Sequence, residues 1–329
     1  MRIAILGATG AVGRTMLRVL EERAFPVDEL VLLASERSEG TRIAAFGKDW
    51  TVRAVTAEAF DGCDIALFSA GSSRSREWAP IAAQRGAIVI DNSSCWRMEP
   101  DVPLVVPEVN GERVHDAARG IIANPNCATI QLVVALEAIK RAAGLDRVVV
   151  TTFQSVSGAG NKGIAALDSE LAGEKTETPF VAPIAHNVIP YIGPRGDDGW
   201  NEEEDKIRAE TRRILEMPDL AVSATCVRVP VRIGHSISVT VQTARPLDRP
   251  SALSALKQMS GIAPISDNDP LPLNAAGTDD VYVGHVRSDR DVDNTLHLWV
   301  VADNLRKGAA TNAVQIAEAL LKQKVLAHA

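Results

Sequence analysis

Residues 2–13 read "RIAILGATGAVG". A short, mostly apolar run ends at Gly7. Glycines then recur at 10 and 13, where the chain passes into "VGRTMLRVLEE" (12–22), with Val12, Met16, Leu17 and Leu20 at helical spacing. The order strand, glycine turn, helix is that of a dinucleotide-binding βαβ unit. A pyrophosphate needs close backbone approach, open N–H groups and the positive end of a helix. Gly7 permits the tight turn, Gly10 keeps a side chain off the phosphate path, and Gly13 lets helix and strand touch. Thr9, Ala11 and Val12 complete the candidate contact set. Glycine spacing alone is equally a tight turn with no ligand; the flanking strand and helix favour the ligand.

Outward from this turn, "LVLLAS" (30–35), "IALFSAG" (65–71), "AIVIDNSS" (87–94) and "GIIANPNC" (120–127) read as strands, with helix-like "SREWAPIAAQRG" between the second and third. Strands alternating with helices argue a parallel sheet with crossover helices. The pattern changes after about residue 145. "RVVVTTFQSVSG" (147–158), "AVSATCVRVPV" (221–231), "HSISVTVQTARP" (235–246) and "LHLWVVADN" (296–304) alternate and are rich in Val and Thr, as in a more open sheet with one wetter face. Residues 173–200 and 264–280 read as loops. "EEEDKIRAETRRILE" (202–216) is a charged helix with Ile207, Thr211, Ile214 and Leu215 on its buried edge, and "GAATNAVQIAEALLKQ" (308–323) is a last helix.

At 329 residues, two domains are expected. Lys and Arg number 35 and Asp and Glu 42, so 35 − 42 = −7. With basic residues scattered, this argues against a nucleic-acid partner. No apolar segment approaches the roughly 18 residues that span a bilayer. The N-terminus reads as a strand, not a signal peptide. Cys63, Cys95, Cys127 and Cys226 form no C-x-x-C pair and no zinc spacing, so free thiols, no metal and a cytoplasmic location are expected.

The end of the second strand, Ala34-Ser35-Glu36-Arg37-Ser38, bears on the cofactor. An acidic residue there would hold the ribose 2′-hydroxyl of NAD. Arg37, with the hydroxyls of Ser35 and Ser38, suits the 2′-phosphate of NADP, while Glu36 works against it; the plain alternative is an exposed polar turn.

"NPNCAT" (124–129) puts Cys127 where a loop becomes a helix, before the apolar run "IQLVVALEAI". Pro125 and Asn126 fit a helix start, with Asn126 as cap. Open N–H groups and the helix dipole favour a thiolate there. On position alone a buried structural cysteine fits equally well.

Read together with "DNSSCWR" (91–97), "FQSVSGAGNKG" (153–163), "CVRVPVRIGHS" (226–236) and "GAATNAVQIAE" (308–318), these stretches resemble aspartate-β-semialdehyde dehydrogenase in its shorter bacterial form. The resemblance runs from residue 1 to about residue 323 and takes in "DVPLVVPEVN" and "DNLRKGAA". It implies NADPH-dependent reduction of L-aspartyl-4-phosphate to L-aspartate 4-semialdehyde and phosphate, or the reverse, toward lysine, methionine and threonine. Carried over by motif, Cys127 is the nucleophile, His235 the general acid/base, and Gln154 the residue that orients the reacting carbonyl. Arg228 matches the arginine for the substrate α-carboxylate, Arg97 and Lys206 match phosphate ligands, and Glu203 the partner of the amino group. Asn126 positions phosphate or the catalytic loop, and Asn312 reaches the nicotinamide amide. Without the resemblance, His235 reads as a structural histidine, Gln154 as a strand-end amide, and Glu203 with Lys206 as a surface i,i+3 pair.

Two features depart from the family pattern. Position 95 is Cys, a second thiol beside Arg97 for which a disulfide with Cys127 under oxidation is conceivable. The stretch between Gly163 and Pro190 is short, which touches the details of the dimer. The nearest rival is N-acetyl-γ-glutamyl-phosphate reductase, which handles an acylated amine and does not need Glu203. A second is a non-catalytic NADP-binding paralogue, which should lack one of Cys127, Gln154, Arg228 or His235; all are present. The expected architecture is α/β: a Rossmann-type NADP-binding domain over 1–126, completed by a C-terminal helix over 308–329, and an α+β catalytic and dimerisation domain over 127–307. The latter has a mixed, largely antiparallel sheet whose open face joins a homodimer.

Overall fold

The computed structural model describes residues 1–322; the end of the expected last helix, 323–329, lies outside the described residues. The chain forms two compact units. One comprises Met1–Pro125 and the segment that begins at Ala309, and the other is Asn126–Gly308.

The first unit contains β1 (Arg2–Leu6), α1 (Ala11–Glu22), β2 (Glu29–Ala34), β3 (Arg42–Ala45), β4 (Lys48–Thr51), β5 (Arg53–Ala54), β6 (Ile65–Phe68), α2 (Ser72–Gln84), β7 (Ile88–Asp91), α3 (Pro107–Asn110) and β8 (Ile121–Ala123). Six strands form one sheet in the order β5-β2-β1-β6-β7-β8, every pair parallel. Ile3 through Leu6 and Ile65 through Phe68 are all buried, as sheets covered on both faces require. The winding reverses at β1, whose neighbours are β2 and β6, so a crevice is expected beyond its C-terminal end. The glycine turn lies there. The helix Thr311–Lys322 packs into the same core through Ala313, Val314, Ile316, Ala317 and Leu320. Arg23 also donates to both carboxylate oxygens of Glu318, at 2.7 and 2.8 Å.

The second unit contains α4 (Cys127–Ala143), β9 (Arg147–Gln154), α5 (Gly160–Leu171), α6 (Glu202–Ile214), β10 (Ala221–Arg228), β11 (His235–Gln242), α7 (Arg249–Gln258), α8 (Pro272–Ala275), β12 (Tyr282–Ser288) and β13 (Thr295–Ala302). Its sheet runs β10-β9-β11-β13-β12, with β10 and β9 parallel and the other pairs antiparallel, a mixed sheet as expected. Helix α4 packs on α6 and α7, and all three pack on the sheet. Strand β9 shows the two faces: Val148, Val150, Thr152 and Gln154 are buried, while Val149 is exposed and Thr151 and Phe153 are half-buried. The Phe153 and Trp299 rings meet on this wetter face, centroids 5.5 Å apart.

The strands end earlier than the sequence reading had them. β6 and β7 stop at Phe68 and Asp91, and β9 gives way after Gln154 to a 3-10 turn over Val156–Ala159. The β3–β4 hairpin, β12, α5 and α7 were not read from sequence. The hairpin strands are four residues each, too short for a periodicity. Helix α5 begins Gly-Asn-Lys-Gly, composition that reads as loop.

Candidate active site

The site in the second unit begins at a helix start. Asn126 is extended and caps α4, its side-chain oxygen accepting from the N–H groups of Ala128 (2.9 Å) and Thr129 (3.3 Å). Cys127 is therefore the first helical residue, where the positive end of the helix dipole favours an anion. Behind it, α4 is buried almost throughout, so the thiol is carried on a rigid element.

Strand register brings the partners. Gln154 and Arg228 are paired at the ends of the parallel strands β9 and β10, and His235 opens β11, whose Ser236 pairs with Phe153. Three residues far apart in the chain thus share one edge of the sheet. His235 is fully buried and its Nε2 lies 3.3 Å from Cys127 Sγ. Burial drives the imidazole well below its ordinary range and the Arg228 cation adds to this, so the ring is neutral at neutral pH. Arg228, itself buried, donates through Nη1 to the Ser155 carbonyl at 2.7 Å. Burial also lowers Arg228, against favourable interactions with Glu203 and Cys127.

Glu203 is buried, so the surface-pair reading of Glu203 and Lys206 does not hold. Its Oε1 accepts from Asn126 Nδ2 at 2.8 Å and from Gln154 Nε2 at 3.0 Å, and Lys206 Nζ is 3.7 Å from Oε2. Lys206 also pairs with Glu202 at 2.7 Å. Burial alone would raise the Glu203 carboxyl. The Lys206 ammonium, the two hydrogen bonds and Arg228 outweigh it and hold the group below the usual carboxylate range. A dry anion in that position suits a cationic substituent on a ligand. The buried edge read for α6 is correct: Ile207, Thr211, Ile214 and Leu215 are all buried.

In the first unit the glycine turn has the form a pyrophosphate needs. Gly7 has φ +93°, and a Cβ on Gly13 would stand 2.2 Å from the Gly7 carbonyl oxygen. Gly10 is the N-cap of α1 and supplies no side-chain cap. Thr9 is in the turn, and Ala11 and Val12 are half-buried at the helix start. Past the end of β2, Ser35, Glu36 and Arg37 line a cavity of about 410 Å³. Ser38 closes this 3-10 turn, its N–H donating to the Ser35 carbonyl at 2.9 Å. These residues fit a dinucleotide.

The other expected site residues of this unit are Arg97 and Asn312. Arg97 is buried, its guanidinium donating to the carbonyls of Asn124 and Asn92, both at 3.0 Å. Asp91 organises that loop by accepting from the Ser93 N–H (3.2 Å) and hydroxyl (2.6 Å). Asn312 donates its amide to the Val105 carbonyl (3.0 Å) and Asn124 Oδ1 (2.7 Å). None of the four cysteines is in a disulfide. Among the described residues no acid, His and Cys cluster could hold a metal, and no helix is long and apolar enough to cross a membrane.

Sequence reasoning missed several groups. Arg74 and Trp78, on α2, line the same cavity as Arg37, brought there by the parallel strand order. Glu210 accepts the Asn126 N–H at 2.6 Å, and Ser155 and Asn304 surround the far side of His235. Only "DNLRKGAA", noted for resemblance, pointed at Asn304.

Known proteins match along the whole of this arrangement. The family model for the semialdehyde dehydrogenase NAD binding domain matches residues 2–117, and that for the semialdehyde dehydrogenase dimerisation domain matches residues 136–307. The aspartate-semialdehyde dehydrogenase of Aquifex aeolicus is 54% identical over 337 aligned positions, covering 99% of each chain. The crystal structure of aspartate semialdehyde dehydrogenase II of Vibrio cholerae complexed with ASA superposes with a TM-score of 0.95 at 50% identity, covering 98% of both chains. The Candida albicans aspartate semialdehyde dehydrogenase, solved with NADP, gives a TM-score of 0.76 at 25% identity over 98% of this chain and 99% of that one.

Proposed function

The chain belongs to the aspartate-semialdehyde dehydrogenase family, and we propose that it interconverts L-aspartyl-4-phosphate and L-aspartate 4-semialdehyde through a thioester on Cys127. The observation that carries this is the Cys127 sulfur 3.3 Å from His235 Nε2, at the capped start of α4. The sulfur anion attacks the acyl carbon, the carbonyl electrons collapse back, and the carbon–oxygen bond to phosphate breaks. Covalent catalysis divides one hard displacement into two easier ones. A nicotinamide dinucleotide held at the glycine turn would supply hydride for reduction of the thioester to the aldehyde level. Carbon–sulfur cleavage then frees the aldehyde and returns the thiolate.

The side chains divide this work. Gln154 orients the reacting carbonyl and His235 is the general acid/base at the reacting oxygen. Arg228 grips the α-carboxylate with its fork, and the buried Glu203 meets the ammonium. That carboxylate favours an amino acid substrate over an N-acylated one, and the relatives above do not favour N-acetyl-γ-glutamyl phosphate or a non-catalytic role. Lys206 and Arg97 are each assigned to phosphate, and Asn126 caps α4 at Cys127. Gly7, Thr9, Gly10, Ala11, Val12 and Gly13 hold the pyrophosphate and Asn312 the nicotinamide amide. Arg37, Ser35 and Ser38 select the 2′-phosphate, making NADP the preferred dinucleotide. The enzyme works in the cytoplasm, for lysine, methionine and threonine synthesis, as a homodimer joined through the face that carries Phe153 and Trp299.

The test is Cys127→Ala. Phosphate-dependent reduction of NADP by aspartate semialdehyde should disappear while titration calorimetry still detects NADP. Turnover near the wild-type rate would remove the thiol from the mechanism.

A further inference from the structure

His235 has a second side that the reaction scheme leaves unused. Its Nδ1 is 3.0 Å from the backbone N–H of Ser155, a donor that cannot rotate away, and 3.1 Å from the Ser155 hydroxyl. A proton on Nδ1 would face that N–H directly, so Nδ1 carries the lone pair and the single proton of the neutral ring is on Nε2. The Ser155 peptide is held from its other end by Arg228, whose Nη1 donates to the Ser155 carbonyl at 2.7 Å.

One buried side chain gathers this region. Asn304, 2% exposed, accepts through Oδ1 from the Ser155 hydroxyl (3.0 Å), the Ser157 hydroxyl (3.0 Å) and the Gly234 N–H (2.9 Å). Because the Gly234 N–H can only donate, the atom facing it is the amide oxygen. Asn304 therefore ties the residue preceding His235 to the residue whose N–H faces its ring. Among the described residues no acidic side chain accepts from the ring, and burial with the neighbouring Arg228 keeps the imidazole uncharged.

We infer that Asn304 is a positioning residue that holds His235 as the Nε2–H tautomer, so that the resting ring meets the Cys127 sulfur as a hydrogen-bond donor. The sulfur is then stabilised as an anion before substrate arrives, and the same N–H is in place for an oxyanion formed on the carbon that the sulfur attacks. No proton has to leave Cys127 for His235 at the start of a cycle. This rests on the proposed dehydrogenase reading for its catalytic consequence, but the tautomer itself is measurable without turnover.

The experiment is two-bond ¹H–¹⁵N correlation spectroscopy on enzyme labelled at histidine, near pH 7, with the His235 signals assigned by their loss in His235→Gln. The wild type should show His235 protonated at Nε2 alone. Asn304→Ala should convert this to a tautomer mixture and lower kcat by up to about a hundredfold with KM little changed. Asn304→Asp, which keeps the acceptor oxygen, should restore the Nε2–H pattern. A wild-type ring protonated at Nδ1, or an unaltered pattern in Asn304→Ala, would overturn the inference; if the alanine variant does not fold, Asn304→Ser, whose hydroxyl is too short to gather Ser155 and Gly234, is read in its place with the same two outcomes. The expected spectra in a protein without activity on aspartate semialdehyde would leave the tautomer standing and sink the proposed reaction.

Discussion

The first unit builds its candidate site from backbone: Gly7 at φ +93°, an uncapped helix start at Gly10, and a Gly13 that admits no Cβ beside the Gly7 carbonyl. The second unit builds its site from side chains: Gln154, Glu203, Arg228 and His235 are all buried and each is held by a partner. A ligand that all such enzymes share can be met by peptide N–H groups and a helix dipole, which any small residues supply. A reaction on one carbonyl needs specific acids, bases and charges in a dry setting where they act strongly. The difference is therefore one of tolerance: one site fails when atoms are added, the other when they are exchanged.

Four measurements would break or sharpen this contrast. The largest effect is expected for His235→Gln, which should slow turnover by about 10²–10⁴-fold while dinucleotide affinity, a property of the other unit, is unchanged. A parallel loss of dinucleotide binding would mean that the two sites are not separable. Gly13→Ala places a methyl 2.2 Å from the Gly7 carbonyl oxygen. It should destabilise the protein by about 1–3 kcal/mol, read in denaturant titrations, and weaken dinucleotide binding without slowing alkylation of Cys127 by a thiol reagent.

A smaller change is expected for Arg228→Lys. Lysine keeps the charge but not the fork, so KM for the semialdehyde should rise about tenfold with a lesser change in kcat. An unchanged KM would put the carboxylate elsewhere. The smallest effect concerns pH. His235 is held below its unfolded value, so it contributes stability above about pH 6.5 that is lost as the pH falls from there toward its folded value. Glu203, also lowered, adds a loss of the same sign below about pH 4.5. Between pH 7.5 and pH 5.5 the melting temperature of His235→Gln should accordingly fall less than that of the wild type. Parallel curves would remove the buried neutral ring from the account.

How much could be read without coordinates differs between the same two regions. "GATGAVG" and "NPNCAT" each contain their whole local logic within a few residues: a glycine turn into a helix, and a proline, cap and thiol at a helix start. Both appear in the structure as α1 and α4. The buried edge of α6 was legible for a similar reason, because 3.6-residue spacing marks one helix face. Spacing failed at Glu203, where an i,i+3 charge pair reads as solvated surface and is instead buried against Asn126 and Gln154. It also gave no warning of Arg74 beside Arg37, or of Asn304 beside Ser155, since each pair is set by packing between distant segments.

Residue pattern alone determined the class of the fold, the glycine turn and the thiol at its helix start, because these depend on dihedral preferences and hydrophobic period within short stretches. Only the tertiary structure decided which nitrogen of His235 faces the sulfur, how the buried Glu203 carboxyl is held below its usual range, and which oxygen gathers Ser155 and Gly234. Those outcomes follow from strand register and burial, which bring together residues as far as 149 positions apart (Ser155 to Asn304) and strip them of solvent.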